Sequence, residues 1–293
     1  MDRLDAMHAF LAVADLGSFA GAARRLRLSP AAVTRAVALL EEQLGVLLLA
    51  RTTRSVRLTE RGALYRETCR RVLEDLEEGE KRVRGEDAAP RGTLTVAAPL
   101  SFGRLHVLPV VIGLLREHPA LAVRLSLSDR IVSLVEEGVD IAVRVGLLSD
   151  SALIAVKLGE VQRQLAASPD YLARRGVPAA LHELVQHDMI AFEGIASTDE
   201  WRFGDTGIRV EPRLWANTAD AAIAAAEAGL GITRALSYQL RGALESGRLV
   251  PVLPAHAPPP DPIHLVYPAR RQGSANVAAF LAAARAHFRA NPV

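Results

Sequence analysis

The sequence predicts an α chain followed by α/β: an N-terminal winged helix-turn-helix, a coiled-coil linker helix and a C-terminal two-lobed α/β domain. Three observations carry this. Apolar residues recur at helical spacing from Met7 to Leu44 with capping signals between the segments, a heptad seam runs from Tyr65 to Val83, and strand-like runs then alternate with helical ones. With 293 residues, half of them hydrophobic, the chain can bury a sizeable core, which excludes global disorder.

Met7, Phe10, Leu11 and Ala14 share one face of a first helix that Gly17 ends. Ser18 caps a short second helix with Phe19, Ala23 and Leu26 inward, and the small Ala22-Ala23 pair admits a close neighbour. Ser29-Pro30, a cap followed by proline at the first helical position, opens a third helix; Val33, Val37, Leu40 and Leu44 form its apolar face and Gly45 stops it. Helix, short turn, helix is helix-turn-helix geometry. Ala31, Thr34, Arg35 and Ala38 then face outward, and such a face fits a major groove. Methyls can meet thymine methyls, and Arg35 can reach a guanine edge or a phosphate. Val46 to Leu49 and Val56 to Leu58 flank Arg51, Thr52, Thr53, Arg54 and Ser55, a small hairpin. Its arginines either hold a phosphate backbone or form a solvated tip.

The net charge of +2 is an average over unlike parts. Residues 1–62 carry nine arginines against six acids, residues 63–90 six basic and eight acidic groups, and residues 91–293 twenty and nineteen. Arg24, Arg25, Arg27 and Arg35 lie in a stretch from Leu16 to Leu40 with no acid, and Arg51 to Arg57 is a second such stretch. These are the footprint of a phosphate-binding module, or else two solvated faces. Aromatics at 4% argue against a base-stacking, single-strand surface.

Tyr65, Cys69, Val72, Leu76, Gly79 and Val83 form the heptad seam of a linker helix of about 26 residues, roughly 39 Å long. One seam cannot bury itself, so it implies a second copy of the chain or packing along the C-terminal domain. Gly85 to Gly92, with Pro90, ends it.

Beyond it, Thr93–Ala97, Ala122–Leu127 and Val139–Val145 read as strands, with Ser101 capping a helix from Phe102 to Glu117 and a helical piece at Ile131–Val135. A second set spans Arg163 to Val252, with strands near Leu165–Ala167, Met189–Phe192 and Ile232–Thr233 and a helix at Ala219–Ala228. A late strand, Ile263–Tyr267, and a final helix, Val277–Phe288, return to the first set. This alternation implies mainly parallel sheets in two lobes with a ligand cleft between them. The expected domains are 1–59, 60–90 and 91–293, with lobe I about 91–162 and 266–293 and lobe II about 163–265.

The stretch Phe10-x-x-Val13-Ala14-x-x-Gly17-Ser18-Phe19-x-x-Ala22-Ala23-x-x-Leu26, then Ser29 to Arg35, Leu40-Glu41, Leu44-Gly45, Leu48, Arg51 to Arg54 and Leu58-Thr59-x-x-Gly62, resembles the N-terminal domain of LysR-type transcriptional regulators. Leu49 stands where that family usually has phenylalanine, and Thr34 where serine is common. Gly138-x-Asp140-Ile141-Ala142-Val143-Arg144, Ala167-Ser168-Pro169-x-Tyr171-Leu172, Gly229-x-Gly231-Ile232 and Gly247-x-Leu249-Val250-x-Val252-Leu253-Pro254 are similar to its effector domain, which is built like type 2 periplasmic binding proteins. Ala235-Leu236 departs from the leucine-proline common there. The resemblance implies promoter-DNA contacts from Ser29, Pro30, Ala31, Thr34, Arg35, Arg51, Thr52, Thr53 and Arg54. It implies effector contacts from Ser101, Phe102, Gly103, Arg144, Gly146, Ser168, Asn217 and Thr218. It also implies a homodimer through the linker helix, assembling to a homotetramer. Ser101 and the free amides of its helix start favour an organic acid, while Ser101 can equally be only a cap and Arg144 an ion-paired rim residue.

No cofactor or metal is expected. Cys69 is the single cysteine, the eight histidines show no i, i+3 or i, i+4 pair, and no P-loop or G-x-S-x-G elbow exists. Arg234 occupies the place where a dinucleotide fingerprint after Gly229-x-Gly231 needs glycine. The reading is therefore a regulator without catalytic activity. The alternative is a solute-binding protein, disfavoured by the basic head and by Asp2 and Asp5 where a signal peptide wants positive charge. A cytoplasmic protein with no membrane partner is expected.

Overall fold

In a computed structural model of the chain, residues 2–51, 56–83, 89–130, 133–134, 136–148, 152–193, 200–204 and 206–293 are described, without the side chains of Arg51, Glu74, Glu78, Lys81 and Arg82. The chain divides into two units, Met1–Ala88 and Ala89–Val293.

In the first unit, local capping chemistry sets the helix ends. The Ser18 hydroxyl accepts the Gly21 amide at 3.1 Å to open α2 (Phe19–Leu26), and the Ser29 hydroxyl accepts the Ala32 amide at 3.1 Å to open α3 (Pro30–Leu44). Gly17 closes α1 (Arg3–Leu16) and Gly45 closes α3 in the left-handed region, at φ 59° and 66°. Phe10, Val13, Val33, Val37 and Leu40 form the buried centre of this trihelical core. A hairpin of β1 (Leu49–Arg51) and β2 (Val56–Leu58) follows; Thr52, Thr53, Arg54 and Ser55 of its expected cationic tip lie outside the described residues.

The linker helix α4 (Glu60–Val83) begins on Thr59, whose hydroxyl accepts the Gly62 amide and donates to the Leu47 carbonyl, both at 2.8 Å. A Cβ on Gly62 would collide with the Leu48 carbonyl oxygen, so only glycine lets α4 press against that backbone. The seam predicted along α4 divides. Tyr65 packs on Phe10 with ring centroids 5.9 Å apart and Cys69 is fully buried in this core, whereas Val72, Leu76 and Val83 are exposed. Its first two members therefore serve the unit's own core. Burial pushes the Cys69 thiol up to about 11, which leaves it unreactive.

The second unit holds two five-stranded sheets. Lobe I contains β3 (Gly92–Ala98), β4 (Leu121–Leu127), β5 (Ile141–Val145) and β6 (Leu153–Val161). Lobe II contains β7 (Arg163–Ala167), β8 (Met189–Phe192), β11 (Pro212–Ala216), β12 (Ile232–Leu236) and β13 (Val250–Val252), with the hairpin β9 (Glu200–Phe203) and β10 (Thr206–Arg209) laid beside it. The chain returns as β14 (Asp261–Pro268), and the strand orders are β4-β3-β5-β14-β6 and β11-β8-β12-β7-β13. Both sheets are mixed, contrary to the parallel expectation: β3 runs parallel to β4 and β5, but β14 is antiparallel to β5 and β6, and β7 is antiparallel to β12 and β13. The reason is topological. The first crossing passes directly from β6 into β7 and the second only through a 3-10 turn at Pro254–His256, so neither holds the α-helical return that keeps successive strands parallel. All of β14 belongs to the lobe I sheet, so the return crossing falls before Asp261 and not at 265/266.

Helices α7 (Pro169–Arg175), α8 (Ala219–Glu227) and α9 (Ser237–Glu245) cover lobe II, and α10 (Ala275–Ala290) buries Val277, Phe280, Ala284 and Phe288 on lobe I. The helix after β3 starts earlier than expected. It runs as α5 (Leu100–Phe102), a π-helical segment Gly103–Val107, and α6 (Leu108–Glu117). Ser101 therefore lies inside its first turn and does not cap it. The Asp129 carboxylate does that work from the loop after β4, accepting the Leu100 amide at 3.0 Å. Of the helical piece expected at 131–135, Ile131, Val132 and Val135 lie outside the described residues, and Leu134 is a buried turn residue.

His106 sits in an aromatic cluster, 4.9 Å from Phe102 and 5.5 Å from Tyr238 between ring centroids. Burial, then the Arg241 and His287 charges, lower its pKa from 6.5 to about 4. The unfolded chain takes this proton near 6.5 and the folded chain resists it, so the stabilisation is complete above pH 6.5 and is lost as pH falls toward 4. His106→Gln should show a smaller drop in urea midpoint between pH 7.5 and pH 5 than the wild-type chain, and equal drops would remove His106 as the source.

Candidate functional site

The first candidate surface is the outward face of α3. Ser29, Pro30, Ala31, Thr34, Arg35 and Ala38 are exposed while Val33, Ala36, Val37 and Leu40 are buried, so the register predicted from apolar spacing is the one present. The Thr34 hydroxyl donates back to the Pro30 carbonyl at 2.9 Å, leaving its methyl and one lone-pair side to the outside. Among the arginines of the acid-free stretch, Arg25 is 3.7 Å from Asp15, whose carboxylate also takes Arg66 at 2.6 Å and Arg70 at 3.3 Å from α4. Among the described residues Arg24, Arg27 and Arg35 have no acidic partner, so they keep their full charge for an outside anion.

The wing is tied to α3 from beneath. Glu41 is buried, and one carboxylate oxygen accepts the amides of Leu48 and Leu49 at 2.9 and 3.1 Å. Sequence reading matched Glu41 to a motif without giving it a task. Its polar character at a buried register position was the available signal.

In the second unit, the expected ligand residues separate. Ser101 is buried in lobe I, and its hydroxyl lies 3.4 Å from the carboxylate of Asp220 on α8 of lobe II; Arg104 is 3.7 Å from the same carboxylate. These contacts join the lobes. Asn217 and Thr218 stand just before, Asn217 exposed and Thr218 capping α8 by accepting the Ala221 amide at 3.3 Å. Phe102 is fully buried, stacked on Phe288 at 5.7 Å and edge-on to Tyr238 at 5.4 Å, so it is a core residue. Gly103 is buried where a Cβ would strike Leu127. Ser168 caps α7 through the Tyr171 amide at 3.3 Å. Arg144 is half-buried in β5 opposite His264, and Gly146, at φ 102°, donates to the Pro262 carbonyl at 2.9 Å.

Asp129 and Asp220 change the electrostatics expected at Ser101. The Leu100 amide, at the start the helix actually has, already serves Asp129. Burial raises the Asp129 carboxyl, and the nearby Asp220 charge adds to this while the Leu100 bond opposes it. Tyr238 Oη is pushed up by burial first and then by the Asp129 and Asp220 charges, which Gln239 only partly offsets. A ligand at Ser101 would meet the Asp129 and Asp220 carboxylates together with the Arg104 guanidinium.

Known proteins fit these two units. A family model described as the bacterial regulatory helix-turn-helix protein, lysR family, matches residues 4–63, and one described as the LysR substrate binding domain matches residues 87–289. An HTH-type transcriptional repressor of Pseudomonas aeruginosa is 37% identical over 298 residues, covering 100% of this chain and 94% of its own. Among solved structures, CrgA, a LysR-type transcriptional regulator from Neisseria meningitidis, aligns with TM-score 0.62 at 29% identity over 96% of this chain and 97% of that one. The Vibrio cholerae virulence activator AphB aligns with TM-score 0.61 at 28% identity over 98% and 100%. The chain belongs to the LysR family: it is a DNA-binding transcriptional regulator that joins a helix-turn-helix unit to a two-lobed, effector-binding domain.

Proposed function

We propose that the chain reads promoter DNA with Ala31, Thr34 and Arg35 of α3 against base edges. Ser29 and Pro30 set the helix start on the backbone, and Arg51, Thr52, Thr53 and Arg54 of the wing hold the adjacent phosphates. The observation that carries this is the outward face of α3, with Arg35 exposed and without an acidic partner while neighbouring Arg25 is held by Asp15. The exposed Leu64, Val72, Leu76 and Val83 of α4 support pairing with a second copy of the chain, and two such pairs make the tetramer. An effector between the lobes near Ser101 and Asp220 shifts their closure, and through it the spacing of the DNA-reading heads. Donor groups on that ligand would match Asp129 and Asp220. The protein acts by binding, without catalysis, in the cytoplasm; among the described residues no helix is long and apolar enough to cross a membrane.

Arg35→Ala should weaken binding to the DNA upstream of the chain's own gene by about 1–3 kcal/mol if Arg35 reads a guanine. Arg54→Ala should lower affinity and reduce the salt slope by about 1. Neither should change the unfolding curve. Affinity unchanged in both variants would remove this DNA surface.

A further inference from the structure

Arg234 is out of place for its position. On β12 it shares a face with Ile232, and the same face of β7 presents Leu165 and Ala167, so Arg234 stands in line with the apolar core of lobe II. Its guanidinium lies 4.9 Å from the ring centre of Trp201 on β9, a cation–π contact that covers one face. Among the described residues it donates no hydrogen bond. Burial, then the Arg163 charge, lower its pKa to about 10, and Asp261 only partly offsets them. Arg163 already spends its Nε on that carboxylate, at 2.7 Å. Two guanidiniums thus share one carboxylate beside a largely buried space, which leaves an excess positive charge and unused donors.

That space is a cavity of about 140 Å³, lined by Arg163, Arg234, Leu165, Phe203 and Val252 among others. It is close to the roughly 150 Å³ cavity that holds one benzene. The polar end offers the Arg234 guanidinium and the remaining N–H groups of Arg163, donors that suit a planar carboxylate, with Gln162 and Gln164 beside them and Leu165, Phe203, Val252 and Leu253 as the apolar walls. We propose that this cavity is a second small-molecule site, separate from the cleft at Ser101, that takes a small monocarboxylate with a compact apolar body.

Its place gives binding a consequence. Arg163 follows the first crossing between the lobes and Asp261 ends the second. Their ion pair, with the 3.3 Å bond from the Gln162 side chain to the Pro258 carbonyl, clips the two crossings together. A carboxylate on Arg163 competes with Asp261 and loosens that clip, so occupancy changes how freely the lobes close.

The test uses the full chain with Trp215→Phe, which leaves Trp201 as the single tryptophan. Titration with 3-methylbutanoate should change Trp201 emission and raise the melting temperature, while neutral 3-methylbutanamide should do neither. Arg234→Met, of similar volume and judged folded by its melting curve, should weaken the acid at least tenfold. Arg163→Gln should do the same and serves if Arg234→Met does not fold. No response to the acid at millimolar concentration, equal binding by the folded arginine variants, or equal binding of the amide would overturn the proposal. Loss of acid binding in Ser101→Leu with retention in Arg234→Met would place the acid in the cleft and overturn it too. Inorganic phosphate binding as tightly as the acid would overturn the ligand class.

Discussion

Glu41→Ala is expected to destabilise the DNA-binding unit by about 2–6 kcal/mol, since two buried amides lose their acceptor at about 1–3 kcal/mol each. The carboxylate reaches from α3 to the amides of Leu48 and Leu49, just where the chain turns into β1. It lies near the C-terminus of α3, where the helix dipole disfavours an anion, so its value is tertiary. Without it the wing loses its fixed angle to α3, and promoter affinity should fall at least tenfold although Glu41 itself faces the core. Hydrogen exchange reads this directly: the amides of Leu48 and Leu49 should exchange much faster in Glu41→Ala. Glu41→Gln keeps one accepting oxygen and should recover part of the loss. Glu42→Ala, at an exposed neighbouring position, should stay within about 0.5 kcal/mol of wild type. Slow exchange at Leu48 and Leu49 in Glu41→Ala would sink the idea.

What could be read from sequence was what local chemistry decides. Ser29-Pro30 and Gly45 bound α3 because a cap, a fixed φ and a left-handed stop act within one turn. The outward set of Ala31, Thr34 and Arg35 followed from the 3.6-residue period alone. The two lobes were visible as alternating strands and helices, and the return of the last strand and helix to lobe I was expected and is present. The cleft was harder, because its electrostatics depend on partners that topology delivers. Ser101 looked like a cap, but Asp129 arrives from the loop after β4 and Asp220 from the other lobe. Phe102 gave no local sign that Phe288 and Tyr238 would enclose it. Arg234 could be read only as a failed glycine motif. Its cavity needs Trp201 from a hairpin, Arg163 from one crossing and Asp261 from the other. The short, mixed-polarity strands β9, β10 and β11 escaped for the opposite reason: their own residues show no steady period.

Asp140→Ala should cost the C-terminal unit about 3–5 kcal/mol, the usual effect of removing one partner from a buried ion pair. Asp140 and Arg271 meet at 2.7 Å with side chains only 8% and 11% exposed, and the other Asp140 oxygen accepts the Thr95 amide at 2.8 Å. The Asp140 amide returns a bond to the Thr95 carbonyl at 2.9 Å. One carboxylate thus joins the start of β5 to β3 and to the turn that leads into α10, three segments distant in sequence. Arg271→Met should cost less than Asp140→Ala. The carboxylate left behind by Arg271→Met keeps the Thr95 amide, whereas Asp140→Ala takes the acceptor from that amide as well as breaking the ion pair. The double variant Asp140→Leu, Arg271→Met removes both charges and should be more stable than Asp140→Ala alone, because no uncompensated charge stays buried. Urea unfolding followed by tryptophan emission measures all three. A double variant no more stable than Asp140→Ala would show that the pair is not coupled, and that this corner is held by packing around β5 instead of by the charges.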